Sequence, residues 1–412
     1  MLALPNASPK SLLCCSGSLD GGGSERQLWQ LTCGVDRTRF APHIYLLYRR
    51  GGYLGQLPID VSVDAFDDQP PQRLNWPGRL HALQVQHLTD VLKRSAIDVV
   101  YDRTFHMTLV TAAACRRAGC PRVSVIVSPP SRDFATSRER FHRFKRRLLA
   151  RAYADPQAIT LAVSQSVADD ATEYYRLPAD RIVTVPSPVD IDAVTALAAQ
   201  PASTAEPLAA TRSDAELRSE DGSLTIAVVG RLTAEKGHAV LLEALVQLKR
   251  ERPLLDLRLD VVGDGPLRQQ LEQQAKNNGM HPSIHFRGFQ ANPYPWIRRA
   301  AMVCIPSLYE GLPNVALEAM VLGRPLLISH CNSSIADLIG DNRRGVLVPP
   351  GDSRSLATAL AKAIDSPGEW LERARRAQVW VAEHHGLSTW LEQMSTILSR
   401  AVDQCSNGRN HA

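Results

Sequence analysis

The sequence predicts an α/β fold of two lobes, each a parallel sheet covered by helices on both faces. Three observations predict it. At 412 residues the chain exceeds one ordinary core, and the length favours two lobes of roughly 200 residues each. Short apolar strand-like runs alternate with helical stretches in both halves, the pattern of βα units. Between residues 198 and 222 that pattern lapses into Ala, Ser, Thr, Pro and charge, with no Ile, Val or aromatic residue, as a linker would. The expected organisation is a first lobe over 1–197, a flexible linker or insert over 198–222, a second lobe over 223–386, and a helix with its tail over 387–412 that packs back on the first lobe.

In the first half the strand signals are Leu12–Ser16, His43–Tyr48, Val61–Phe66, Asp98–Asp102, Val123–Val127, Ile159–Ser164 and Ile182–Pro186, with helices from about Ser24 to Val35, Leu80 to Lys93 and Thr108 to Arg117. The second half repeats the scheme. Strands are expected at Leu224–Val229, Leu257–Val262, Ile284–Phe286, Met302–Ile305, Pro325–Ser329 and Gly345–Val348, and helices at His238–Lys249, Leu267–Asn277 and Val315–Leu322. Continuous apolar strands between helices imply parallel sheets buried on both faces. Helical segments then run from Ser355 to the end.

Composition narrows the class of function. A hydrophobic fraction of 44% and a charged fraction of 22% are those of a folded globular chain. No apolar run reaches the ~20 residues of a membrane span, and Met1 to Lys10 lacks a signal-peptide pattern, so the cytoplasm is expected. The eight cysteines show no paired C-x-x-C spacing and read as buried thiols. Residues 1–200 carry 24 Lys+Arg against 19 Asp+Glu, and the remainder 23 against 23. A first lobe this weakly basic suits a phosphate-bearing or anionic-surface partner and not nucleic acid.

Chemistry concentrates in Pro306-Ser307-Leu308-Tyr309-Glu310-Gly311-Leu312-Pro313-Asn314-Val315-Ala316-Leu317-Glu318. Gly311, Pro313 and Asn314 mark a loop that opens a helix. Backbone N–H groups near Leu312 to Val315 are then available to a diphosphate, aided by the helix dipole. Glu310 in the loop and Glu318 in the helix are placed to hold ribose or sugar hydroxyls by charge-assisted hydrogen bonds; the residues alone equally allow a solvated loop acid and a carboxylate that favours the helix dipole.

A second cluster, Gly230-Arg231-Leu232-Thr233-Ala234-Glu235-Lys236-Gly237, follows a strand and precedes a helix, the position at which open α/β sheets bind ligands. Arg231 and Lys236 can neutralise a pyrophosphate, the one as a fork and the other as a point charge. The spacing is not that of a phosphate-binding P-loop. In the first lobe Gly21-Gly22-Gly23-Ser24-Glu25-Arg26 offers either a close backbone approach to phosphate or a plain tight turn.

In order and spacing the set resembles the retaining GT-B glycosyltransferases of the group-one, family-four class. The matching pieces are Gly22-Gly23-Ser24-Glu25, the Gly230–Gly237 cluster, Gly263-Asp264-Gly265-Pro266, Phe286-Arg287-Gly288-Phe289, the block from Pro306 to Met320, Gly323-Arg324-Pro325 and Gly345-Val346-Leu347-Val348-Pro349. The resemblance implies two facing Rossmann-like lobes with a nucleotide-sugar donor, UDP-, GDP- or ADP-linked, bound mostly by the second. It implies that Arg231 and Lys236 hold the donor diphosphate, Glu310 the sugar and Glu318 the ribose. The backbone of Gly311, Leu312, Pro313, Asn314 and Val315 would line the site, Gly22 and Gly23 close over it, and Phe286 to Phe289 edge the base. No metal or further cofactor is expected: the two cations can offset the leaving charge, and the one D-x-D triplet, Asp190-Ile191-Asp192, falls outside any metal-binding loop.

The chain departs from the family on the acceptor side. Where many relatives have a histidine facing the cleft, it has Val127-Ser128-Pro129-Pro130. Arg132 and Asp133 therefore become acceptor-side candidates, together with Asp102, Arg103 and His106. The acceptor is expected to be a glycan, a lipid-linked sugar or a small molecule. Residues 138–151 form a basic amphipathic stretch, including Arg143, Lys145, Arg146, Arg147 and Arg151 with Phe144 and Leu148 between them, which suits an anionic membrane surface or, equally, a solvated face of a lobe helix. Competing readings are a nucleotide-sugar epimerase, a glycan phosphorylase and a catalytically silent sugar-nucleotide binder.

Overall fold

A computed structural model describes residues 8–20, 22–68, 78–136, 142–201 and 223–409. The chain divides into two compact units, one of residues 1–187 with 388–412, the other of residues 188–387. Gly21, residues 138–141, residues 202–222 of the expected linker and the tail beyond 409 lie outside the described residues.

The first unit is built on β1 (Lys10–Ser16), α1 (Gly23–Gly34), β2 (Phe40–Leu46), β3 (Ser62–Ala65), α2 (Arg79–Arg94), β4 (Val99–Arg103), α3 (Phe105–Ala118), β5 (Arg122–Ile126), α4 (Pro130–Thr136), α5 (His142–Tyr153), β6 (Ala158–Ala162), α6 (Gln165–Tyr175) and β7 (Ile182–Thr184). Its seven strands run parallel in the order β3-β2-β1-β4-β5-β6-β7. Every residue of β4 and β5 is buried, as expected where helices cover both faces of a parallel sheet.

The second unit comprises α7 (Ile191–Ala198), β8 (Leu224–Val229), α8 (His238–Glu251), β9 (Leu257–Val262), α9 (Arg268–Asn277), β10 (Ile284–Gly288), α10 (Tyr294–Arg299), β11 (Met302–Ile305), α11 (Asn314–Val321), β12 (Leu326–Ser329), α12 (Ser333–Ile339), β13 (Val346–Val348), α13 (Ser353–Asp365) and α14 (Pro367–His384). Its six parallel strands take the order β10-β9-β8-β11-β12-β13. Side chains of β11 alternate between the two faces. Met302 and Cys304 join a core with Leu241 and Leu245 of α8, whereas Val303 and Ile305 join another with Leu317 of α11 and Ile335 of α12.

The first boundary differs from the expected residue 197, because α7 belongs to the second unit. Asp190 caps this helix by accepting from the Ala193 N–H at 3.0 Å, and Val194 and Ala198 bury their apolar face with Tyr294 and Ile297 of α10. The apolar face of α7 is thus packed within the second unit. Where the chain enters and leaves this unit its strands touch, the Val189 N–H donating to the His385 carbonyl at 2.8 Å. The last helix, α15 (Leu387–Arg409), packs on the first unit: Arg39 donates to the Ser395 carbonyl and the Ser399 hydroxyl, and Leu391 lies so close to Gly34 that a Cβ there would stand 2.5 Å from its Cδ1.

Candidate functional site

In the second sheet the order of strand addition reverses between β8 and β11, and the crevice at such a reversal is the ligand position of open α/β sheets. The loop after β8 carries Arg231 and Lys236, and the loop after β11 carries Glu310. Glycine brings them together. Gly237 has φ +66°, and a Cβ on it would stand 2.0 Å from the Pro306 carbonyl oxygen, so only glycine lets the two loops meet. The Leu308 N–H then donates to the Glu235 carbonyl at 2.8 Å.

This approach sets Lys236 Nζ 2.5 Å from Glu310 Oε1, with 26% and 13% of the two side chains exposed. The Ser307 hydroxyl donates to the same carboxylate oxygen at 3.0 Å. Asn332 fixes the backbone of the loop: its Nδ2 donates to the carbonyls of Glu310 and Gly311 at 2.7 and 3.2 Å, while its Oδ1 accepts from the Ile335 N–H and caps α12. An ammonium group has three donors, so Lys236 can serve Glu310 and an anionic ligand together. Arg231 is largely exposed, 3.7 Å from Glu235.

The N-cap residue of α11, Pro313, makes no side-chain cap bond, and the helix starts at Asn314; backbone N–H groups at such an end are able to take an anion. Leu312, Asn314 and Val315 are partly exposed, Gly311 and Pro313 buried, and Glu318 is buried in the helix. Next to Lys236, His238 opens α8 with its ring buried among Val228, Leu241 and Leu259. Burial, with the Lys236 charge adding to it, pushes its imidazole down to about 4. Burial also raises the Cys331 thiol to about 11, and the Glu310 carboxylate acts in the same direction.

Phe286 and Phe289, both expected at the base, part company. Phe286 packs against the core, whereas Phe289 is 68% exposed, beyond Gly288 at φ +68°. Between them Arg287 reaches buried Asp260, Nε to Oδ1 at 2.7 Å, and Arg299 holds the other oxygen at 2.6 Å, with both guanidiniums against the Trp296 ring. The motif's arginine is thus a structural pin of the β10 edge.

In the first unit Gly22 precedes α1 and Gly23 begins it. Among the acceptor-side candidates, Asp102 is corrected to an interior role. It is fully buried and accepts from the hydroxyls of Thr108, Thr111 and Ser124 at 2.6, 2.8 and 2.7 Å, which ties α3 to β4 and β5; burial raises its carboxyl above the usual range. Arg103 is also buried. His106 is exposed, its ring tilted against Phe105 with centroids 4.1 Å apart. Arg132 is exposed, and Asp133 in the first turn of α4 takes a hydrogen bond from Ser128.

Sequence reasoning passed over Ser307 and Asn332. Asn332 was legible as an N-cap: Asn-Ser-Ser ahead of an Ile-containing run is a helix-start signature. Its bonds to the Glu310 loop come from β11 and β12 being neighbours.

Two successive parallel sheets, the second with a basic and an acidic loop meeting at its reversal point, are what the GT-B class is built from. A family model described as Glycosyltransferase Family 4 matches residues 21–193, and one described as Glycosyl transferases group 1 matches residues 223–366. The chain belongs to the group-one, family-four glycosyltransferases. It is 32% identical over 188 residues to the alpha-D-kanosaminyltransferase of Streptomyces kanamyceticus, covering 44% of this chain and 48% of that one. Over 137 residues it is 29% identical to an N-acetylgalactosamine-N,N'-diacetylbacillosaminyl-diphospho-undecaprenol 4-alpha-N-acetylgalactosaminyltransferase of Campylobacter jejuni, covering 33% and 36%. The chain thus spans about half the length, or less, of the curated relatives it matches. The structure of Anabaena HepE in complex with UDP-glucose shares the fold, with a TM-score of 0.75 at 22% identity over 95% of this chain and 99% of that one.

Proposed function

We propose that the chain is a retaining glycosyltransferase that moves a sugar from a nucleoside-diphosphate sugar, with UDP as the favoured nucleotide, to a hydroxyl of a glycan, lipid-linked or small-molecule acceptor in polysaccharide-type biosynthesis. The observation that carries this reading is the Lys236–Glu310 pair beside the amino end of α11. Lys236, with Arg231, neutralises the departing diphosphate, the helix end takes a phosphate oxygen, and Glu310 orients the sugar through its hydroxyls. Glu318 holds the ribose. The two cations do without a metal what a divalent ion does elsewhere. The acceptor hydroxyl attacks from the face the diphosphate leaves, so the anomeric configuration is kept. UDP is favoured because HepE, which shares the fold, is seen with UDP-glucose.

The exposed face of α5 supports work at the cytoplasmic side of an anionic membrane. Arg143, Arg147 and Arg151 are exposed there with Phe144, and Leu149, Ala152 and Tyr153 anchor the other face. Among the described residues no helix is long and apolar enough to cross a membrane.

Incubation with UDP-, GDP- and ADP-glucose and with UDP-N-acetylglucosamine, read by nucleotide release and by proton NMR of the product, tests the reading. An α-linked product from an α-donor, formed at the same rate in EDTA, is the expected result. Epimerised donor without transfer, or binding without turnover, replaces the proposal with one of its competitors.

A further inference from the structure

The second unit has another groove, of about 510 Å³, a volume in the range of small-molecule sites. One wall is a stripe of α14 in which Glu372, Arg376, Val379 and Glu383 recur at helical spacing, with Arg375 and Trp380 beside them. The other wall is Arg343 and Arg344, in the turn between α12 and β13. This groove lies at the far end of α12 from the donor loops. Asn332, at the amino end of α12, donates to the Glu310 carbonyl, whereas Gly340 ends the helix at φ +58° and leads to Arg343. The seven residues of α12 set the two ends roughly 10 Å apart.

Arg344 is built into its wall. Its Nε and Nη2 donate to the Leu338 and Asp337 carbonyls at the end of α12, and its guanidinium lies 4.3 Å from the centroid of the Trp380 ring. Glycine at 340 makes the room, since a Cβ there would stand 2.6 Å from Arg344 Nη2. Arg373 of α14 donates to the Asn342 carbonyl at 3.0 Å and so pins the turn to the helix. Burial, and after it the charge of Arg343, lower the Arg344 guanidinium from its ordinary range. Among the described residues neither Arg343 nor Arg344 makes an ion pair; both bond carbonyls. On α14, Glu372 serves Arg375 and Arg376 together, at 3.7 and 3.1 Å. Four arginines thus line the groove with one shared acid, and Glu383 pairs with none of them.

We propose that this groove binds a sugar phosphate. Arg343, Arg375 and Arg376 have N–H groups left over for the phosphate oxygens. Glu383 accepts from sugar hydroxyls, and Val379, 61% exposed, lies with the partly exposed Trp380 under the apolar face of the ring. Inorganic phosphate would leave Glu383 and the apolar floor without contacts, and a neutral sugar would leave the arginines unmatched. The site is separate from the donor crevice and does not depend on the transfer reaction.

The test is calorimetric titration of the full chain, saturated with UDP so that the donor crevice is occupied, with glucose 6-phosphate and, in parallel, with inorganic phosphate and glucose. Wild type is expected to bind glucose 6-phosphate, and each of the other two more weakly by about tenfold or more. Replacing two exposed side chains at once, Arg343→Ala with Arg376→Ala, should weaken glucose 6-phosphate by about tenfold or more and leave UDP binding as in wild type. Glu383→Gln should narrow the gap between glucose 6-phosphate and inorganic phosphate. No binding by wild type overturns the proposal, as does unchanged affinity in the double variant or inorganic phosphate held as tightly as the sugar phosphate. Affinity lost in Lys236→Ala and kept in the double variant moves the ligand to the donor crevice and overturns it as well. Should the double variant fail to fold, Arg375→Gln decides: weaker binding supports the groove, unchanged binding removes it. If wild type ignores UDP yet binds glucose 6-phosphate through these arginines, the donor reading falls and the groove stays.

Discussion

At the reversal point between β8 and β11 the charges are matched within the protein, Lys236 on Glu310 and Arg231 near Glu235, whereas at the end of β4 the buried Arg103 donates to the Tyr101 hydroxyl and, among the described residues, makes no ion pair. The same topology thus holds its charges in two ways. A self-paired crevice is stable when empty and asks its ligand to share a lysine with a glutamate. A buried charge without an ion-pair partner is costly to the fold that holds it.

The hardest way to break the matched crevice is to remove its cation. Lys236→Ala is expected to lower the turnover number by roughly 10²–10³-fold, the scale on which one preorganised charge-stabilising group acts, with circular dichroism unchanged. Steady-state transfer rates check it, and near-wild-type turnover would separate the lysine from the chemistry.

Next in size is an effect of pH on the same unit. The folded pKa of His238 is depressed to about 4 from an unfolded 6.5, so between these values the unfolded chain binds the proton that the folded chain refuses. The stability from a neutral imidazole is fully present above pH 6.5 and is lost as the pH falls toward 4, by about 3 kcal/mol at most. His238→Leu should flatten that part of the profile in urea unfolding at a series of pH values; parallel profiles for variant and wild type would show that the ring titrates freely.

The smallest effect sharpens the comparison most. Asn332→Ala removes both the cap of α12 and the clamp on the Glu310 loop, and should cost about 1–2 kcal/mol while raising the donor KM. Asn332→Asp keeps an acceptor for the Ile335 N–H but no donor for the Glu310 and Gly311 carbonyls. It should restore melting temperature more than KM, and full recovery of both would reduce Asn332 to a helix cap.

Much of the fold was legible because its signals are local. Leu224–Val229 and Met302–Ile305 are apolar-rich runs, Leu257–Val262 sets Arg258 and Asp260 between Leu and Val, and the three form β8, β11 and β9 at those residues. Elements whose stability comes from packing were missed. The sequence places α7 with the first lobe, and only its packing with Tyr294 and Ile297 assigns it to the second unit, while α10 and α12 are too short to show a helical period. Asp102 read as a functional acid because it ends a strand run, and only Thr108, Thr111 and Ser124 around it show that it holds the lobe together.

By itself the sequence determined a two-lobed α/β chain, because glycines, prolines and charges at fixed offsets after apolar runs specify βα loops through local sterics and helix termini; the glycosyltransferase class came from the resemblance of the Gly230–Gly237 and Pro306–Met320 motifs to that family. Which of those loops touch was decided by strand order. The lysine at 236 and the glutamate at 310 meet because β8 and β11 are hydrogen-bonded neighbours and Gly237 has no Cβ to keep Pro306 away. Arg103 could be named from sequence as a candidate, but whether a charge is matched depends on what the fold packs around it.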